Sequence, residues 1–176
     1  MFRIATLGAI MMGAVACMSP SMAQQTSPPP PCSTEEYRQM DFWVGLWDAK
    51  WEDADGTEQH GTNTISLQLD GCMVFEEFNG SPGNNLLGRS MSEYLARASA
   101  WKQVWMDNTG GYFALTGGMV GEDFILNMDR PVETAPYLRM VYTNISHERF
   151  DWHWQNSTDA GETWNDQWVI NYTRQD

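Results

Sequence analysis

Between residues 44 and 174 the apolar and polar positions alternate with a period of two, the rhythm of strands that bury one face. In the first such run, residues 44–54, Gly45, Trp47, Ala49 and Trp51 share one face, while Asp48, Lys50 and Glu52 share the other. Further runs are expected at 57–69, 72–79, 89–96, 101–106, 112–116, 120–128, 137–145, 150–156 and 164–174. Turn chemistry separates them: Asp55-Gly56, Asp70-Gly71, the Gly- and Asn-rich stretch 80–85, 108–111, Gly117-Gly118, and a proline-bounded loop at 130–136. Short strands with tight, sequential joins predict an all-β domain, and a closed antiparallel up-and-down barrel of about ten strands rather than a sandwich. Closure also leaves no edge strand to pair with another chain.

Ahead of the strands, Ser33-Thr34-Glu35-Glu36 reads as a capping box that starts a short helix running to about Met40. A helical turn ending near Phe42 would then lead into Asp41-Phe42-Trp43-Val44-Gly45-Leu46-Trp47-Asp48, with Gly45 allowing a close backbone approach and Trp47 plugging one end of the barrel. Residues 1–23 read as a secretory signal: Arg3, an uncharged apolar run, and Ser21-Met22-Ala23 as a small-x-small cleavage site. The run is too short to span a bilayer. Cys17 leaves open a lipid anchor instead of cleavage after Ala23. Residues 24–32, with four consecutive prolines, form a spacer, and 33–176 form the barrel domain, in the periplasm or secreted.

The net charge of −13 argues against nucleic acid and anionic membrane surfaces as partners. Loss of the leader removes one cation, Arg3, and leaves Cys32 and Cys72 as the remaining cysteines. In an oxidising compartment they are expected to pair, closing a loop of roughly 40 residues worth about 4 kcal/mol in the chain-entropy model. The alternative is two free thiols, with Cys72 as a small core residue.

Candidate chemistry is sparse. His-x-His, Cys-x-x-Cys, His-Glu-x-x-His and Gly-x-Ser-x-Gly are all absent, so the sequence offers no metal site and no activated nucleophile. Glu76 and Glu77 are adjacent on an otherwise apolar strand, so one of them should point inward. That carboxyl would serve as an acid/base group, as a polar anchor for a ligand, or as half of an ion pair with Arg89, Arg97 or Arg139. Nine tryptophans are many for one small domain. Trp47, Trp51, Trp101, Trp105, Trp152, Trp154, Trp164 and Trp168 fall in same-parity pairs along their strands, and Trp51, Trp101, Trp105, Trp152, Trp154 and Trp168 are the candidate walls of a cavity for one small apolar or aromatic ligand. They suit a filled core equally well.

Two short motifs point to structure. The stretch Ser157 to Trp164 matches the Ser-x-Asp-x-Gly-x-Thr-Trp pattern of an Asp-box, a turn in which Asp159 binds backbone amides, Gly161 takes a positive φ and Trp164 packs back. Gly45-Leu46-Trp47 resembles the Gly-x-Trp signature of lipocalins, in which an arginine from near the end of the barrel covers the tryptophan; Arg174 is the counterpart. Through Asp41-Phe42-Trp43-Val44-Gly45-x-Trp47-Asp48, Gly71-Cys72, Trp105-x-Asp107-Asn108, Gly117-Gly118 and the Asp-box, the span 37–174 resembles a bacterial family of exported lipocalin-like proteins with no established activity. The resemblance implies a fold and an exported location. The nitrobindins, a group with a similar barrel, bind haem through a histidine. Here His60, His147 and His153 all lie off the last strand, and alternation with Trp152 and Trp154 turns His153 outward, so haem is not expected.

The sequence therefore supports an exported ligand-binding barrel first. An enzyme of hydratase or isomerase type using Glu76 or Glu77 is the second reading, and an envelope interaction protein with a filled core is the third.

Overall fold

In the computed structural model, residues 30–129 and 136–176 are described; the expected leader, the start of the spacer and nearly all of the 130–136 loop lie outside them. Ten antiparallel strands close on themselves in sequence order, with the last paired to the first. They are β1 (Gly45–Glu52), β2 (Glu58–Gln68), β3 (Met73–Asn79), β4 (Leu87–Leu95), β5 (Ala100–Asp107), β6 (Tyr112–Val120), β7 (Asp123–Met128), β8 (Tyr137–Thr143), β9 (Arg149–Ser157) and β10 (Asn165–Arg174). The alternation does what it predicted: along β1 each inward residue from Trp47 to Trp51 is buried and each outward one is exposed.

Two expectations are corrected. The capping box does not form. Ser33 donates instead to Pro30 O, Thr34 donates to the Glu36 carboxylate, and the chain makes two 3-10 turns, Glu35–Arg38 and Asp41–Trp43. Gly117-Gly118 is not a turn either. The pair lies inside β6, and the chain reverses at Gly121. A Cβ on Gly117 would meet Ile125 O at 1.8 Å, so its glycine serves close strand contact rather than reversal.

One end of the barrel is sealed. The 3-10 turns bring Met40, Phe42 and Trp43 across it, packed on Trp47, Phe124, Tyr142 and Phe150. Trp47 is fully buried and donates its indole N–H to Trp43 O at 2.7 Å. Arg174 lies over the Trp47 ring at 4.1 Å and donates to Phe42 O, Val44 O and His147 O, which ties the lid, the β8–β9 turn and the seam together. Gly45 makes this possible. It sits at φ +144°, and a Cβ there would fall 2.0 Å from Arg174 Nη1.

The Cys32–Cys72 disulfide pins the N-terminal arm to the β2–β3 turn at the same end, and Arg38 donates to Gly71 O beside it. The Asp-box closes the β9–β10 hairpin at the opposite end. Asp159 accepts from Ser157, Thr163 N and Thr163 Oγ1, Gly161 has φ +91°, and Trp164 donates to Gly161 O under the Arg139 guanidinium. Those donors hold the Asp159 carboxyl well below the usual carboxylate range. The polar side-chain groups of Ser157, Asp159, Thr163 and Trp164 are all spent on the turn.

Candidate ligand cavity

The end opposite the lid is not filled by the described residues. A cavity of about 110 Å³ opens there. Its walls are aromatic because β5 and β10 each deliver one inward tryptophan at this level and β9 delivers two: Trp105, Trp168, Trp152 and Trp154 all line it. Phe78 and Phe113 complete the ring. Trp168 stands edge-on to both Phe78 and Trp152, at 5.9 and 5.7 Å between centroids, and Phe113 tilts against Trp154 at 5.3 Å. These contacts hold the side chains as rigid plates rather than loose flaps. Trp105 is fixed further by donating its N–H to Asp107 at 2.9 Å, and by lying where a Cβ on Gly88 would be, 2.0 Å from the ring.

Two of the candidate tryptophans stand elsewhere. Trp51 is buried behind the wall, edge-on to Trp168 at 5.6 Å, and forms a second layer. Trp101 is at the sealed end, bonded to Gln39 and packed on Phe124, so it belongs to the plug. Parity placed it on the inner face correctly, but not at the right depth.

Glu76 and Glu77 divide as alternation required. Glu77 faces out and pairs with Arg89 at 3.1 Å, both half-exposed. Glu76 faces in and lines the cavity, with 6% of its surface exposed. Among the described residues no arginine pairs with it, contrary to the ion-pair expectation: Arg89 is taken by Glu77 and Arg139 lies over Trp164. Its partners are neutral. Ser90 Oγ donates to Oε2 at 2.6 Å and Asn63 Nδ2 to Oε1 at 2.8 Å; Asn63 Nδ2 also lies 3.3 Å from the Tyr172 hydroxyl. Burial pushes the carboxyl up to about 7, and the Ser90 and Asn63 hydrogen bonds only partly oppose this. The buried phenols of Tyr142 and Tyr172 are raised well above the usual tyrosine value, first by burial and then by this carboxylate.

Asp107 sets the mouth. It caps the β5–β6 turn, accepting from Thr109, Trp105 and backbone amides, and these bonds, Thr109 foremost, bring its carboxyl down to about 2. The cavity thus has a permanent negative charge at its rim and a titratable one in its depth. Met140, Ile170 and Tyr172 form the rest of the floor. The sequence reading passed over them because single apolar residues carry no signal beyond their inward parity.

His153 points outward as expected, between Thr143 and Asp166 on the outer surface. Among the described residues no group of three or more His, Cys, Asp or Glu is placed to hold a metal ion, and no helix is long and apolar enough to cross a membrane. The features together define a closed β-barrel sealed at one end and carrying an open aromatic cavity with a buried acid at the other. Comparison of the chain with protein-family models and with curated proteins finds no match.

Proposed function

We propose that the protein is an exported, lipocalin-like binding barrel that holds one small flat apolar or aromatic molecule in the cavity above Glu76. The observation that carries this reading is the cavity itself: about 110 Å³ walled by four tryptophans, at the one end where no part of the described chain fills the barrel. A cavity of roughly 150 Å³ takes benzene, so this one suits a single ring whose edge reaches the mouth. Export is supported by the disulfide, which persists in oxidising compartments. The test is titration with benzyl alcohol while following tryptophan emission. Saturable quenching is expected in the wild type and its loss in Ile170→Phe, which fills the floor; no saturable change in the wild type would refute the reading.

A second reading rests on Glu76 alone. A buried carboxyl near neutrality beside an apolar cavity is poised for proton transfer, as in a hydratase or isomerase. Turnover abolished by Glu76→Gln with ligand binding retained would favour it over the binding module.

A further inference from the structure

Among the described residues the cavity is rich in negative and aromatic groups and has no cation in its lining. Its carboxyl groups there are Glu76 in the depth and Asp107 at the rim, and no described lysine, arginine or histidine lines it. The elements packed around Glu76 supply only neutral partners: Asn63 from β2, Ser90 from β4, Tyr172 from β10 and Tyr142 from β8. Arg89, the one described cation whose charge acts on Glu76, lies on the outer face and is bound to Glu77, Phe78 O and Gly88 O. Beside it, Asn63 Oδ1 is buried without a hydrogen-bond partner among the described residues, a further acceptor with nothing to accept.

A buried acid without a counter-charge is costly to ionise, and a ligand cation is what would repay it. The walls favour the same ligand. The faces of Trp and Phe carry negative quadrupole density, and a ring of them attracts an ammonium group. The two carboxylates repel an anion of the same shape.

Building on the binding reading above, we infer that the occupant is a small single-ring aromatic amine, its ammonium group against the Glu76 carboxylate and its ring among Trp105, Trp152, Trp154 and Trp168. Binding is linked to a proton. The ammonium enters as the cation, the Glu76 carboxyl releases its proton to solvent, and no covalent bond is made. Amine affinity therefore rises as pH passes upward through neutrality and levels off once Glu76 is ionised without help. Asp107, ionised across this range, contributes attraction at the mouth but no pH dependence.

Three isosteric probes separate this inference from the pocket on which it rests: benzylamine, benzyl alcohol and benzoate, titrated by calorimetry and tryptophan emission at pH 8 and pH 5. At pH 8 benzylamine is expected to bind at least about tenfold tighter than benzyl alcohol, with benzoate the weakest. At pH 5 the amine preference is expected to shrink by about tenfold or more, as each pH unit below the Glu76 pKa costs up to a factor of ten. Calorimetry near pH 6.5 in buffers of different ionisation enthalpy should register proton release with benzylamine and none with benzyl alcohol. Glu76→Gln should erase the amine preference while keeping benzyl alcohol binding. Glu77→Gln, on the outer face, should leave the preference intact.

Benzyl alcohol binding as tightly as benzylamine to the wild type would overturn the inference and leave the pocket standing. So would an amine preference that survives in folded Glu76→Gln. If none of the three binds, the pocket reading falls and takes this inference with it.

Discussion

The two ends of this barrel are made from the same residue type and come out opposite. At the sealed end Trp43, Trp47 and Trp101 are each at most 1% exposed. At the open end Trp105, Trp152, Trp154 and Trp168 are only half-buried. The difference is not in the strands, which present inward aromatics at both levels. It lies in what crosses the opening. Two 3-10 turns and the Arg174 guanidinium cover one end, and the guanidinium is satisfied by carbonyls and an indole face. At the other end the described Asp159 and Asp107 turns spend their hydrogen bonds on themselves and do not cross the opening. A tryptophan is core or wall according to whether the chain provides something to press on it.

The contrast can be broken from either side. Trp47→Ala should hurt most, costing about 3–5 kcal/mol in denaturant unfolding, because the void cannot collapse beneath a lid bonded to the same residue. A cost below about 1 kcal/mol would mean that the plug is not the stabilising centre.

Glu76→Gln tests the open end through pH. The folded carboxyl titrates near 7 against 4.5 for an ordinary glutamate, so the folded state holds its proton more tightly than the unfolded chain does. Wild-type stability should therefore be highest, as far as this group is concerned, below the unfolded value. It should fall as pH rises towards 7 and change no further above that, by about 3 kcal/mol in all. Glutamine imitates the protonated acid, with Oε1 accepting from Asn63 and Nε2 donating to Ser90. The variant should equal the wild type near pH 4 and exceed it at pH 8. Equal stabilities at both pH values would show that Glu76 is not held in a costly charged state.

Trp154→Ala should have the smallest effect on stability, about 1–2 kcal/mol, because it removes a half-buried wall rather than a plug. It should nevertheless weaken benzyl alcohol binding more than Trp101→Ala does, which thermal unfolding and ligand titration of the two variants would compare.

Much of this could be read before the fold was seen, for a physical reason. Side-chain parity is a local property, and so Trp47, the outward His153 and the split between Glu76 and Glu77 were all legible. The Gly45–Trp47–Arg174 cluster was legible through the resemblance to the lipocalin Gly-x-Trp signature, and the structure adds the physical reason: a Cβ on Gly45 would fall 2.0 Å from Arg174 Nη1. Depth along the barrel was not. Trp101 and Trp105 share a face but stand about 13 Å apart along β5, so one meets the lid and the other the cavity. The Gly117-Gly118 error has a similar origin. Glycine permits a turn and also permits close backbone contact, and only the neighbour at Ile125 tells which. The missing counter-charge of Glu76 was hidden too, since any of three arginines was eligible until the register paired Arg89 with Glu77.

The seam between β1 and β10 joins Val44 to Arg174, 130 positions apart. During synthesis, β1 keeps one unpaired edge until almost everything between has been made, whereas Cys32 and Cys72 are both present long before. The lid can be stapled to its turn while the cylinder is still a curled, unfinished sheet. Closing the wall therefore needs the last strand, and the same strand's Arg174 also ties down the base.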